Sequence, residues 1–221
     1  MDPSQQKEYW DARIASWDSS AYARRGAVPW IERLAGPFRG DLRERKAYAL
    51  RAIAEVAPRS LLELGCGTGE LFASLPADTP VQRYVGVDVS PVAVQQARAR
   101  AAAAAGRLVP EFVASPLSEL DPDAYADFAL VTAMGLLPYL TDGEVDVLAR
   151  LLRGKRFLFD YHRAGASVWN ALHFCYRRVA GHPFYRMHSD AGIAGLLRER
   201  GVEGVTLRRH GHLSFVQRLD G

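Results

Sequence analysis

Ser60-Leu61-Leu62-Glu63-Leu64-Gly65-Cys66-Gly67-Thr68-Gly69-Glu70 is an apolar run that stops in three glycines at alternate positions. Such a run closed by glycine predicts a buried strand breaking into a tight loop. Glycine belongs where the backbone takes positive φ, and where a ligand comes closer than a Cβ would permit. The next residues, 70–75, have the spacing of a short helix, so the unit reads strand, loop, helix. A second strand, 83–89, carries a carboxylate, Asp88, 19 residues after Gly69. An acid at the tip of the second strand of a βαβ unit is placed to grip a pair of ribose hydroxyls.

The glycine spacing separates two cofactor classes. Dinucleotide sites use G-x-G-x-x-G, with the third glycine packing the helix and the helix N-terminus facing a pyrophosphate. Here the pattern is G-x-G-x-G, with an acid, Glu63, two residues ahead of the first glycine. A carboxylate there repels a pyrophosphate and suits a cationic amine. Glu63-Leu64-Gly65-Cys66-Gly67-Thr68-Gly69 resembles the first motif of the class I S-adenosylmethionine-dependent methyltransferases, [ED]-x-G-x-G-x-G, at every fixed position. The resemblance implies an α/β fold: a Rossmann-like, doubly wound sheet of seven strands, mostly parallel with an antiparallel last strand. It also implies S-adenosylmethionine as cofactor and S-adenosylhomocysteine as product.

The totals fit one domain spanning 1–221. A composition 48% hydrophobic and 24% charged is that of a soluble globular chain. Phe128–Leu140 falls short of a membrane span and is interrupted by Gly135 and Pro138. The polar start, residues 1–8, reads as no secretory signal. The two cysteines, Cys66 and Cys175, form no disulfide framework, so a cytoplasmic location is expected. The net charge of +3 is spread over scattered arginine pairs and marks no nucleic-acid module.

Residues 4–35 read as helical and are loaded with aromatics, Tyr9, Trp10, Trp17, Tyr22 and Trp30. The resemblance makes residues 1–40 a helical lid over the cofactor, with Trp17 or Tyr22 reaching it. Residues 36–40, with Gly36, Pro37 and Gly40, read as a break, and a helix is expected from Asp41 to Val56. Arg43 and Arg45 on that helix are expected mainly to face solvent, although in some relatives such an arginine meets the methionine carboxylate. Ser90-Pro91 starts a helix that Gly106 stops. Strand three is 111–114. Relatives place an acid just past it, at the adenine amino group; this chain has Ser115-Pro116-Leu117, leaving the Ser115 hydroxyl or the Leu117 backbone N–H for that contact. Strand four is 127–132, and the loop 133–139 after it lines the passage from sulfonium to acceptor in relatives. No [DN]-P-P-[YF] tetrapeptide stands there, which counts against nucleic-acid bases and glutamine as acceptors. Thr141 and Glu144 form a capping box for a helix to Leu152, strand five is 155–160, and a last helix spans 189–200. A final hairpin joins 205–208 to 213–217.

Carried over residue by residue, the resemblance gives cofactor contacts to Glu63, Gly65, Cys66, Gly67, Thr68 and Gly69, to Asp88 with Val89, and to Ala133 and Met134 beyond strand four. The stretch 161–188 is longer than a connection needs, and reads as a substrate cap with a helix over 166–180. It holds His162, His173, His182 and His188, with Trp169, Phe174, Tyr176, Phe184 and Tyr185 among its aromatics. The histidine spacings match no metal-ligand motif, so no metal is expected. Methyl transfer needs an aligned acceptor and, for a hydroxyl, a base; histidine titrates in the right range. His162 is the first candidate, His188 the second and Tyr139 the third, and for any one of them a polar side chain merely satisfied at the rim is the commoner case.

The expected function is methyl transfer to an O or N atom of a small, aromatic or heterocyclic metabolite, by a monomer or homodimer without nucleic acid or membrane. The alternatives are a methyltransferase acting on protein or RNA, an NAD-dependent oxidoreductase, and a binding module that has lost the transfer.

Overall fold

Leu61 and Leu62 point to opposite sides of one strand, and both are fully buried. That strand must therefore be covered on both faces, as parallel sheets are. The computed structural model describes residues 5–12, 14, 36–104, 108–165 and 185–220. Among them, β1 (Ser60–Leu64), β2 (Arg83–Asp88), β3 (Glu111–Ala114), β4 (Leu130–Ala133), β5 (Arg156–Tyr161), β6 (Thr206–His210) and β7 (Leu213–Arg218) form one sheet. Its order is β3-β2-β1-β4-β5-β7-β6. Strands β1 to β5 pair in parallel, and β7 runs antiparallel between β5 and β6. The expected seven-stranded α/β sheet is present, and the chain reverses its winding direction between β1 and β4. The crevice for a ligand opens at the carboxyl ends of those two strands.

Two apolar layers follow from side-chain alternation. Leu62, Leu64, Val85, Val87, Val131 and Phe157 meet α4 (Asp142–Leu152) and α5 (Asp190–Glu199) through Val145, Leu148, Ile193 and Leu197. On the other face, Leu61, Tyr84, Leu130, Leu158 and Phe215 meet α1 (Gly36–Val56), the short α2 (Glu70–Ala73) and α3 (Pro91–Ala103).

The helix signals act where they were read. The Ser90 hydroxyl accepts the Ala93 N–H at 3.1 Å, with Pro91 in the first helical position. Thr141 and Glu144 cap each other, Glu144 N–H to Thr141 Oγ1 at 3.3 Å and Thr141 N–H to Glu144 Oε2 at 2.9 Å. Two expectations shift. Helix α1 begins at Gly36 instead of Asp41, because a proline in the first turn forfeits no hydrogen bond. Strand β4 begins at Leu130 instead of Asp127, whose carboxylate pairs with Arg83 at the surface, 2.6 Å away. Trp17, Tyr22, His173, His182, the helix expected over 166–180 and the stop at Gly106 lie outside the described residues.

Candidate functional site

The glycine bend folds back onto the end of β2. Gly65 and Cys66 both donate their N–H groups to the Val87 carbonyl, at 2.8 and 3.0 Å. Asp88 is then fixed at both oxygens. Gly67 N–H donates to Oδ2 at 2.8 Å, and Ser90 N–H to Oδ1 at 2.9 Å. The three glycines sit at φ +71°, +52° and +76°, where a side chain is strained. Their surroundings differ. A Cβ on Gly69 would lie 3.0 Å from that of Ala97, so this glycine lets α3 pack against the bend. A Cβ on Gly67 would meet nothing within 4 Å, so its face is open to a ligand.

The other predicted donor-side residues divide by what they expose. The Cys66 and Ala133 side chains are buried, so a ligand reaches these two only through backbone. Thr68, Val89 and Met134 are partly exposed along the rim. Ser115 donates its N–H to the Asp88 carbonyl at 2.9 Å and its hydroxyl to the Pro116 carbonyl at 3.1 Å, keeping oxygen lone pairs as acceptors. The Leu117 side chain is buried and opens a 3₁₀ turn.

Glu63 is not a bare carboxylate at the strand tip. It is 5% exposed, and the Tyr84 phenol donates to its Oε2. Burial pushes its carboxyl up to about 8; the bond from Tyr84 opposes that rise and the charge of Asp88 adds to it. Burial likewise raises Asp88, against the two N–H bonds that favour its ionised form.

The opposite rim is built from side chains. Residues 5–12 form a helical segment that touches both sides of the crevice. At one end the Ser90 hydroxyl donates to Asp11 Oδ1 at 2.5 Å. At the other, buried Gln6 donates its Nε2 to Glu144 Oε2 at 3.1 Å and to the Tyr139 carbonyl at 3.4 Å. Between them Trp10 meets the Tyr139 ring edge to face, centroids 5.0 Å apart. Tyr139 meets Tyr185 in the same way at 5.4 Å, and Tyr185 meets His162 at 5.2 Å. His162 Nδ1 and the Tyr185 hydroxyl share a hydrogen bond of 2.6 Å. His188 is brought alongside by backbone, its N–H donating to the His162 carbonyl at 3.0 Å. Burial, and then the charge of Arg186, hold its imidazole below the usual histidine range. Of the three predicted acceptor-side residues, His162 and Tyr139 both meet Tyr185 and share one wall, while His188 is tied to it through backbone, in register with Arg163.

Beneath that wall Asp160, 2% exposed, accepts the Gly135 N–H and pairs with Arg45 Nε at 2.9 Å. Arg45 thus turns inward, where solvent exposure was expected, because α1 packs over the buried carboxylate. The sequence reading missed Gln6, Asp11 and the Tyr84 contact, and did not single out Tyr185. Asp11 stands inside the aromatic N-terminal pattern, while nothing local marks the other three.

A family model described as a methyltransferase domain matches residues 61–154, from the first strand through the stop after α4. Residues 61–154 are a methyltransferase domain. The glycine bend and Asp88 both lie within it, and the sheet order is that of the class I S-adenosylmethionine-dependent methyltransferases. In the solved structure of magnesium protoporphyrin IX methyltransferase from Synechocystis PCC 6803 with bound S-adenosylhomocysteine, the same fold recurs over 98% of each chain (TM-score 0.69, 18% identity). Among curated sequences, a release factor glutamine methyltransferase of Koribacter versatilis is 28% identical over 145 residues, 59% of this chain and 50% of that protein. A trans-aconitate 2-methyltransferase of Methylobacterium radiotolerans is 30% identical over 87 residues, 39% of this chain and 28% of that protein. The matched parts span half or less of those two relatives' lengths. No helix among the described residues of this methyltransferase fold is long and apolar enough to cross a membrane.

Proposed function

We propose that the protein transfers a methyl group from S-adenosylmethionine to an oxygen or nitrogen of a small, flat, partly aromatic acceptor. The observation that carries the acceptor class is the line of rings Trp10, Tyr139, Tyr185 and His162, contributed by separate segments, with Tyr139 and His162 just beyond the carboxyl ends of β4 and β5. Planar side chains set edge to face favour a planar ligand between or beside them.

The residues present fit the cofactor. The open face at Gly67 admits a ligand against the backbone, and the Asp88 carboxylate, already aimed by two N–H groups, keeps lone pairs for ribose hydroxyls. Val89 and the Ser115 oxygen or Leu117 N–H border the adenine end; Glu63 serves the amine, and Ala133 and Met134 the passage to the acceptor. When bound, the cofactor supplies a methyl carbon activated by its sulfonium. The chain's own task is to align the acceptor and to take a proton from it where the nucleophile is a hydroxyl. His162, oriented by the Tyr185 hydroxyl, fills that role; His188, kept neutral, is the second candidate and Tyr139 the third. Residues 5–12 act as the described part of a lid, and 161–188 as the acceptor cap.

Binding and transfer test this directly. Calorimetry with S-adenosylhomocysteine and with NAD should give heat for the first alone, and labelled cofactor should mark small phenols, aromatic acids or heterocycles. Binding of NAD alone, or label entering only protein or RNA, overturns the reading. The glutamine-modifying relative favours a protein acceptor as second reading, against which stands Ala133-Met134-Gly135-Leu136 in place of [DN]-P-P-[YF].

A further inference from the structure

We infer that Tyr84 is a positioning residue for the amino-acid tail of the cofactor: its phenol holds one oxygen of Glu63, so that the other is presented to a primary ammonium. The inference rests on the cofactor reading above and goes beyond it, since nothing in the glycine motif calls for a tyrosine on the neighbouring strand.

The placement follows from sheet register. Leu61 lies beside Tyr84, and Glu63 beside Gly86, so all four share one face of the sheet. Gly86 offers Glu63 no side chain, and it cannot acquire one. A Cβ there would lie 2.8 Å from the Phe112 ring and 3.0 Å from Cys66 Cβ. Phe112 and Cys66 therefore close that side of the carboxyl, and a ligand group can reach it only through the 5% of Glu63 that stays exposed. Two residues of extended chain cover about 7 Å, a distance that the length of a tyrosine bridges. The ring is fixed between Phe72 and Phe112, with centroids at 5.0 and 5.9 Å, so packing, and not the hydrogen bond, sets the position of the hydroxyl.

On the other side of Glu63 the registered neighbour is Thr132 of β4, whose hydroxyl lies 3.5 Å from the Leu62 carbonyl. The charged groups nearby are committed elsewhere. Asp88 is held by Gly67 and Ser90, and Arg45 of α1 pairs with Asp160. A carboxyl enclosed by Cys66, Phe72 and Phe112 needs a fixed donor to be worth ionising, and Tyr84 is that donor. A hydrogen bond to one oxygen favours the charged form and fixes the rotamer together.

The test uses two ligands that differ at this end. S-adenosylhomocysteine carries the ammonium and carboxylate; 5′-methylthioadenosine keeps the nucleoside and thioether and lacks both. By calorimetry, Tyr84→Phe should bind S-adenosylhomocysteine about 10- to 100-fold more weakly, while its affinity for 5′-methylthioadenosine stays within about twofold. Glu63→Gln should show the same selective loss, and adding Tyr84→Phe to it should cost little more, since the two act as a unit. Equal losses for both ligands, or additive losses in the double variant, would show that Tyr84 only packs the sheet and would overturn the inference. If the unaltered protein binds 5′-methylthioadenosine but not S-adenosylhomocysteine, Glu63 has no ammonium to meet and the inference falls. If it binds neither, the cofactor reading itself has failed.

Discussion

The two halves of the crevice are made of different material. On the donor side, the bend Gly65–Gly69 and Asp88 are held by backbone N–H groups, and each partner lies on β1, β2 or the turn between them and α3. On the proposed acceptor side, the wall is made of side chains from residues 5–12, the loop after β4, the end of β5 and Tyr185. A backbone site depends on φ angles and glycines, so it tolerates little change and suits a ligand that does not vary. A wall of rings from separate segments can be exchanged piece by piece, which is how one fold serves many acceptors.

Variants that affect one half and spare the other put that contrast to work. The largest effect should come from His162→Gln, which removes the proposed base and is expected to lower turnover by about 10²- to 10⁴-fold. Its affinity for S-adenosylhomocysteine should match the parent's by calorimetry; a parallel fall would mean the halves are not separable. Next is Glu63→Gln, read through stability. A carboxyl raised to about 8 in the fold and ordinary when unfolded binds more protons folded than unfolded between about pH 5 and 8. Its contribution is therefore present below its unfolded value and lost as pH rises through about 8. Urea unfolding of the unliganded protein should show parental stability declining over that window relative to Glu63→Gln, by a few kcal/mol at most. Coincident pH profiles would mean that Glu63 is charged in the unliganded fold.

Asp88→Ala should weaken S-adenosylhomocysteine by about 1–3 kcal/mol, through loss of charge-assisted bonds and of the anchor for Gly67. Unchanged affinity would remove Asp88 from the donor half. The smallest effect is expected at Gln6→Ala, which breaks the tie between residues 5–12 and Glu144. About 1 kcal/mol of stability should go, seen as a lower urea midpoint, with the 3.3 Å cap of α4 still closed. A larger loss would make that segment part of the core.

The same division governs what could be read in advance. The glycine bend, Asp88, the Ser90 and Thr141 caps and the final hairpin were legible because each is written within a few consecutive residues. The seven strands, mostly parallel with an antiparallel last one, followed from the resemblance, and the structure has them. Tyr84 and Glu63 are 21 residues apart, His162 and Tyr185 are 23, and Gln6 and Glu144 are 138. No periodicity encodes such pairs; they exist because the sheet brings distant segments to one rim. Arg45 shows the same limit. Its helix face could be guessed, but the buried carboxylate that draws it inward lies on β5.

The contacts of Gln6 bear on the order in which the molecule comes together. Its partners, the Tyr139 carbonyl and the Glu144 carboxylate, lie 133 and 138 positions further on. A ribosome finishes these first turns long before it makes the groups that receive them. Those two bonds therefore close only after the fourth strand and the helix that follows it have left the exit tunnel, later than the same segment's bond between Asp11 and Ser90.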